Sequence, residues 1–339
     1  MTPDCSLVIR TPADLIAVVP FVMGYHPSDC LAVVGVRGDR VDFALCHDLP
    51  PPRATGAAAR EPAAAVAATV ARQRVSTVVV LGYGSLRRVT PAALRCAEAL
   101  RRRAVPVLDV CRVADGRWWS YLCADRDCCP PEGRPCLPAD SVIAAEATFR
   151  GQVALPSRTE LTAQVAAVEG AERAEMGRAT ERARRRFTGL LTSEPAAADY
   201  ERLVLRHGRE AVLAAERRHR SGGSLSPDET AWLGVLLVDR AVEDFALDRA
   251  TPQEWRIRLW TEVLRRVEPA YVAPAACLLS CTAWRAGRGS LARVALDRAL
   301  AVEPGHQLAE LLHRVLGFGL SPHMVLPGRP RPGHGRRRR

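Results

Sequence analysis

Residues 76–81 read Ser-Thr-Val-Val-Val-Leu, and Gly82-Tyr83-Gly84-Ser85 follows at once. A short run of β-branched and aliphatic residues closed by a glycine turn predicts a strand buried on both faces. An Ala-rich stretch, Glu61–Arg74, precedes it and reads as a helix. Thr90-Pro91 follows and reads as the cap of a second helix that runs to about Arg103. A further strand then spans Val105–Arg112. Strand, helix and strand in this order predict parallel neighbours covered by helices.

Two hairpins flank this unit. Cys30–Val36 is apolar and β-branched, Arg37-Gly38-Asp39-Arg40 is a turn, and Val41–His47 alternates, so residues 30–47 predict antiparallel strands. Arg117–Leu122 pairs with Val105–Arg112 in the same way. Before them, Thr11-Pro12-Ala13-Asp14 starts a helix that ends near Met23. The prediction for residues 1–155 is a mixed α/β domain: a mixed sheet with hairpins and covering helices.

After Pro156 only helical patterns remain, and residues 156–325 predict an all-α domain. Arg158–Leu191 reads as one long helix and Ala196–Arg220 as another. Ser226-Pro227-Asp228-Glu229 and Thr251-Pro252-Gln253-Glu254 both read as capping boxes. Residues 273–304 resemble one tetratricopeptide-like helical pair, with small residues Ala276, Ala283, Ala292 and Ala299 at the crossing positions.

Composition narrows the chemistry. All 48 basic residues among the 339 are Arg; Lys and Asn are absent. No Schiff-base lysine, no lysine of a phosphate-binding P-loop and no asparagine oxyanion donor can exist. The net charge is +11, and six Arg of it lie in Gly328–Arg339, leaving +5 for the rest. The segment 326–339 is rich in Pro, Gly and Arg, which predicts a disordered tail able to associate weakly with nucleic acid through its charge. No apolar run approaches the ~18 residues of a membrane span. The N-terminus has no signal-peptide pattern, so a cytoplasmic setting is expected and the eleven cysteines should be mostly reduced; their odd number also argues against a full disulfide framework.

Four motifs carry candidate chemistry. Cys123, Cys128, Cys129 and Cys136 cluster in a Pro/Gly-rich segment after a strand. Zinc takes such thiolates at short spacing. A zinc site, a redox-labile disulfide and simple packed thiols are all compatible with the pattern. Adjacent Cys128 and Cys129 are expected to point different ways, with Cys111 or His47 as further ligand candidates. In Gly24-Tyr25-His26-Pro27, glycine suits a helix end and His26 is the titratable candidate. Tyr83 sits at the carboxyl end of a buried strand, where α/β sheets bind ligands. Arg117, Trp119 and Tyr121 share one face of a strand, and could bind a carboxylate or stack on a base. Arg101–Arg103 and Arg184–Arg186 read as solvated helix faces.

Three separated stretches carry a resemblance: IRTPADLIAVVPFVMGYHPSDCLAVVGV at 9–36, RWWSYLCADRDCCPPEG at 117–133, and AWRAGRGSLARVALDRALAVEPGHQLAELL at 283–312. The chain resembles the actinobacterial domain-of-unknown-function family 4192 over about residues 7–325. The resemblance implies a cytoplasmic bacterial protein of two parts and supplies no catalytic residue. Cys123, Cys128 and Cys129 fit its pattern; Cys136 departs from it. The expectation for function is a binding or scaffold protein for a small molecule or protein partner. An enzyme with a site at the carboxyl edge of the sheet, near His26, Tyr83 and Arg117, is the alternative. Nucleic-acid association through the tail is a third.

Overall fold

The computed structural model describes residues 9–38, 40–51, 53, 56–73, 75–138, 140–149, 151–193 and 197–322. The tail at 326–339 lies outside the described residues. The chain divides into two compact units: one runs through Glu169 and takes in Arg288–Arg298, the other holds Gly170–Gly287 and resumes at Ala299.

In the first unit, helix α1 (Pro12–Met23) starts where the sequence predicts. Thr11 Oγ1 accepts the Asp14 N–H, and Asp14 returns the bond to the Thr11 N–H, so a capping box satisfies two orphan donors. Strands β1 (Cys30–Arg37) and β2 (Arg40–Asp48) form the expected antiparallel hairpin. Helix α2 (Gly56–Ala71), strand β3 (Thr77–Tyr83), helix α3 (Leu86–Arg101) and strand β4 (Val107–Ala114) follow. Strand β5 (Arg117–Ser120), the two-residue β6 (Arg134–Pro135), α4 (Val142–Phe149) and α5 (Arg158–Ala163) complete the unit.

The six strands lie in the order β2-β1-β3-β4-β5-β6. Only β3 and β4 pair in parallel, joined through α3; the other neighbours are antiparallel. One face carries Leu31, Val33, Val78 and Val80 against Val66, Ala67 and Val70 of α2 and Val89, Ala93 and Leu100 of α3. The alternate residues Ala32, Val34, Val79 and Leu81 are equally buried on the opposite face. Helix α1 packs beside β2 there, with α4 against α1. This double coverage is why β3 reads as an unbroken apolar run. At Gly82 a Cβ would stand 2.2 Å from Val89 Cγ1, so α3 can approach the sheet only because the residue is glycine.

Several helix boundaries differ from the sequence reading, and α2 begins at Gly56 rather than Glu61. Helix α3 begins after Ser85, not at Thr90-Pro91. Pro91 sits inside the helix, and Thr90 Oγ1 lies 2.6 Å from the Tyr121 hydroxyl. Thr90 is thus used across the core rather than as a cap. The predicted helix 158–191 is broken between Ala163 and Gly170, which adopts φ 61.

The second unit contains helices α6 (Gly170–Ser193), α7 (Ala197–Arg220), α8 (Pro227–Leu236), α9 (Arg240–Leu247), α10 (Glu254–Arg266) and α11 (Val272–Arg285). Helix α12 (Gly289–Val302) straddles the division, and α13 (Gln307–Gly317) belongs to the second unit. The Ser226 capping box forms with both of its hydrogen bonds. The one read at Thr251 does not: the helix begins after Gln253, and the Thr251 hydroxyl bonds Gln253 and Arg256 side chains instead. Every residue from Val272 to Trp284 is buried, which makes α11 the central helix of this unit. Ala276, Leu279, Ala283, Ala292, Leu296 and Ala299, the positions read as a helical pair, are all fully buried. Cys277 and Cys281 are buried core thiols. Among the described residues no helix is long and apolar enough to cross a membrane.

Candidate functional site

The cysteine segment is shaped by two side chains that turn the backbone. Ser120, the last residue of β5, accepts the Leu122 and Cys123 N–H groups on Oγ, both at 3.1 Å, and donates to Asp109 at 2.7 Å. This leads the chain out of the sheet and fixes Cys123. Asp125 then organises the next turn. Its carboxylate accepts the Asp127 N–H at 2.9 Å and the Cys128 N–H at 3.3 Å, and its carbonyl accepts the Cys129 N–H at 2.7 Å. The helical turn that results overrides the expectation that Cys128 and Cys129 diverge. Their Sγ atoms and that of Cys123 all lie within 4.8 Å of one another.

A zinc ion bound tetrahedrally at about 2.3 Å from each sulfur needs about 3.8 Å between sulfurs. Small side-chain rotations close that gap. Cys128 is exposed, and Cys123 and Cys129 are half-buried. Burial pushes the Cys129 thiol up to about 12, helped by hydrogen bonds and charge from Cys123 and Cys128. Three thiolates crowded together repel; a divalent cation between them reverses that sign.

The segment is tied back to the sheet. Arg134 donates to the carbonyls of Cys128 and Asp127. Trp119 Nε1 donates to the Pro131 carbonyl at 2.9 Å, and Arg117 to the Gly133 carbonyl at 2.6 Å. The Arg112 guanidinium stacks 3.6 Å above the Trp119 ring. Gly133 holds φ 78, and a Cβ there would lie 2.4 Å from the indole. Arg117, Trp119 and Tyr121 are therefore spent on internal contacts, Tyr121 through Thr90. Trp118 faces the other way, 6% exposed, with its Nε1 unpartnered. Cys136 follows β6 and stands apart from the trio; its N–H donates to the Gly116 carbonyl, and burial raises its thiol.

The carboxyl edge of β3 forms a second assembly. Gly24 caps α1, and residues 24–26 pair with Leu155: His26 N–H donates to its carbonyl at 2.8 Å, and its N–H donates to Gly24 at 2.9 Å. This leaves His26 exposed and turns Tyr25 inward. Tyr83 is 7% exposed, its hydroxyl buried without a partner. His26, Tyr83 and Arg117 are thus not brought to one place: one lies on the surface, one under the sheet edge, and one at the start of β5.

What gathers beside Tyr83 is a set the sequence reading passed over. Cys30 lies opposite Tyr83 in the β1–β3 register, and Cys46 opposite Ala32 in β1–β2. Cys30, Cys46 and Tyr25 influence one another's ionisation: Tyr25 and Cys30 are pushed up and Cys46 is lowered. Arg158, the first residue of α5, bonds both Asp48 carboxylate oxygens at 3.1 and 3.0 Å and lies 3.8 Å from Asp297. The turn at Gly38 by itself would set Cys46 opposite Leu31; a β-bulge between Gly35 and Val36 shifts the register by one and brings residues 30 and 46 to one face, a shift the turn signal does not announce. A shallow depression lies on the α2 side, lined by Leu31, His47, Asp48, Pro62, Val66 and Ala92 among others.

The family described as Domain of unknown function (DUF4192) matches residues 12–323. No curated protein and no solved structure matches the chain.

Proposed function

We propose that this chain, which belongs to the family of Domain of unknown function DUF4192, is a binding protein whose α/β unit holds one zinc ion between Cys123, Cys128 and Cys129. The carrying observation is the approach of three thiol sulfurs to within 4.8 Å on a turn already organised by Asp125. Thiolate ligands at this spacing favour zinc over hard cations, which need oxygen. The ion's part in this reading is structural. It fixes the segment that Trp119, Arg117 and Arg134 hold against β5, and so shapes the surface offered to a small-molecule or protein partner. A cytoplasmic setting belongs to this reading, since zinc thiolates call for cysteines kept reduced.

Metal analysis of protein purified without chelator tests the proposal. About one zinc per chain, lost in Cys123→Ser or Cys128→Ser, is the expected result. Metal-free protein that takes up no added zinc overturns it.

A second reading, an enzyme at the carboxyl edge of the sheet, draws on the buried, unpartnered Tyr83 hydroxyl. An orphan hydroxyl of this kind costs stability unless something polar reaches it.

A further inference from the structure

Helix α7 gathers arginine on one face. Arg202, Arg206, Arg209, Arg217 and Arg220 are all exposed. At 3.6 residues per turn their spacing keeps them within about 80° of one another around the axis, in a row about 27 Å long. Arg206, Arg217 and Arg220 have no carboxylate partner among the described residues. Glu210, at the margin of the row, lies 3.6 Å from His207 Nδ1 instead. Cations in the last turn of a helix offset the negative end of its dipole, which accounts for Arg217 and Arg220. That reason does not extend to Arg202, Arg206 and Arg209, which lie turns away from that end.

The row runs into a second gathering of cations. Phe245 of α9 takes two guanidinium groups, Arg209 at 5.2 Å and Arg249 at 5.6 Å from its ring centroid. Arg249 also bonds one oxygen of Glu216 at 3.0 Å, and Arg256 of α10 bonds the other at 3.1 Å. Glu216 is buried, and it is the carboxylate these three arginines surround. Asp244 and Asp248 are exposed on α9, but no ion pair joins them to the arginines among the described residues. The cluster therefore carries a positive excess. Ring and carboxylate hold it in place, so an incoming anion has little side-chain freedom left to freeze.

We propose that this face of α7, with Arg249 at its flank, binds the phosphate backbone of a nucleic-acid duplex. A duplex offers dense, unbroken negative charge along the whole row, and guanidinium groups take phosphate oxygens in pairs. Single strands are held by stacking bases on aromatic rings. Residues 202–220 contain no Phe, Tyr or Trp, and the Phe245 and Trp255 rings already carry guanidinium groups. Contacts to phosphate position a duplex without reading its sequence. The proposal concerns the second unit and does not depend on metal at Cys123, Cys128 and Cys129.

The test follows binding of the full-length chain to labelled DNA and RNA duplexes by fluorescence anisotropy, from about 50 to 200 mM salt. Arg206→Gln, Arg209→Gln and Arg217→Gln together should lower the slope of log affinity against log salt by about 2–3, and weaken binding at least about tenfold. Arg101→Gln, Arg102→Gln and Arg103→Gln remove the same charge elsewhere and should change the slope by less than about 1. Replacing Arg336–Arg339 with Gln should leave the loss caused by the α7 triple intact. If that triple fails to fold by circular dichroism, phenylglyoxal mapping of the wild type decides: a duplex should protect Arg206, Arg209, Arg217 and Arg220, and not Arg101. Four results overturn the proposal: no binding of either duplex, equal losses in the two triples, binding abolished by the tail replacement alone, or a single strand or polyglutamate bound as tightly as a duplex.

Discussion

Two thiol clusters sit in one α/β unit and face opposite electrostatic problems. At Cys123, Cys128 and Cys129 three thiols crowd one another near Cys111, and Cys129 is pushed up to about 12. At Cys30 and Cys46 the chain brings its own charges, Asp48 and Arg158, which act on Cys46 in opposite senses. The first cluster asks for a positive ion from outside; the second already has a paired cation and carboxylate beside it. Cysteine chemistry here follows from what surrounds the sulfur rather than from the number of sulfurs. The sequence shows the first cluster as a visible run, whereas the second is assembled from residues 25, 30, 46 and 158.

Removing a sulfur from the exposed trio is expected to have the largest effect. Cys128→Ser should weaken zinc binding by about 100-fold or more, as read by competition with a chromophoric chelator. Unchanged affinity would move the metal away from this trio. Next comes the turn that holds the trio in place. Gly133→Ala puts a Cβ into the Trp119 ring at a backbone angle L-residues avoid. It should destabilise the α/β unit by about 1–3 kcal/mol in urea unfolding and lower zinc affinity with it. A neutral outcome would show that the Trp119 contact does not hold the segment.

The other cluster yields smaller, kinetic effects. Replacing Arg158 with Met removes an influence that lowers the Cys46 pKa. Alkylation of Cys46 should slow slightly, by less than about tenfold, with the rate-versus-pH curve moving to higher pH. Cys128 should be unaffected; equal slowing at both would point to a general loosening instead. The smallest effect belongs to Cys136→Ser. It should leave zinc content and the Cys46 rate unchanged, since Cys136 belongs to neither group.

The fold was largely legible because its signals are local. The buried strand at 77–83, the 30–48 hairpin and the Thr11 and Ser226 caps each rest on residues adjacent in sequence. Errors arose where a cap residue was drawn to another partner: Thr90 to Tyr121 across the core, and Thr251 to the nearby Gln253 and Arg256 side chains. The candidate site was legible by halves. The cysteine run stood out, but the turn that aligns Cys128 with Cys129 depends on the Asp125 side chain. At Gly24–Pro27 the histidine drew attention as the titratable residue. Which neighbour points inward is decided by pairing with Leu155, 130 positions away, and that pairing selects Tyr25. Arg158 reaches Asp48 across 110 positions, a contact no motif announces.

Site-resolved alkylation of the native chain at pH 7, with and without one equivalent of zinc, tests the contrast most directly. The account predicts that zinc protects Cys123, Cys128 and Cys129 and leaves the labelling of Cys46 unchanged. Protection of Cys46 by zinc, or no protection of the trio, would contradict it.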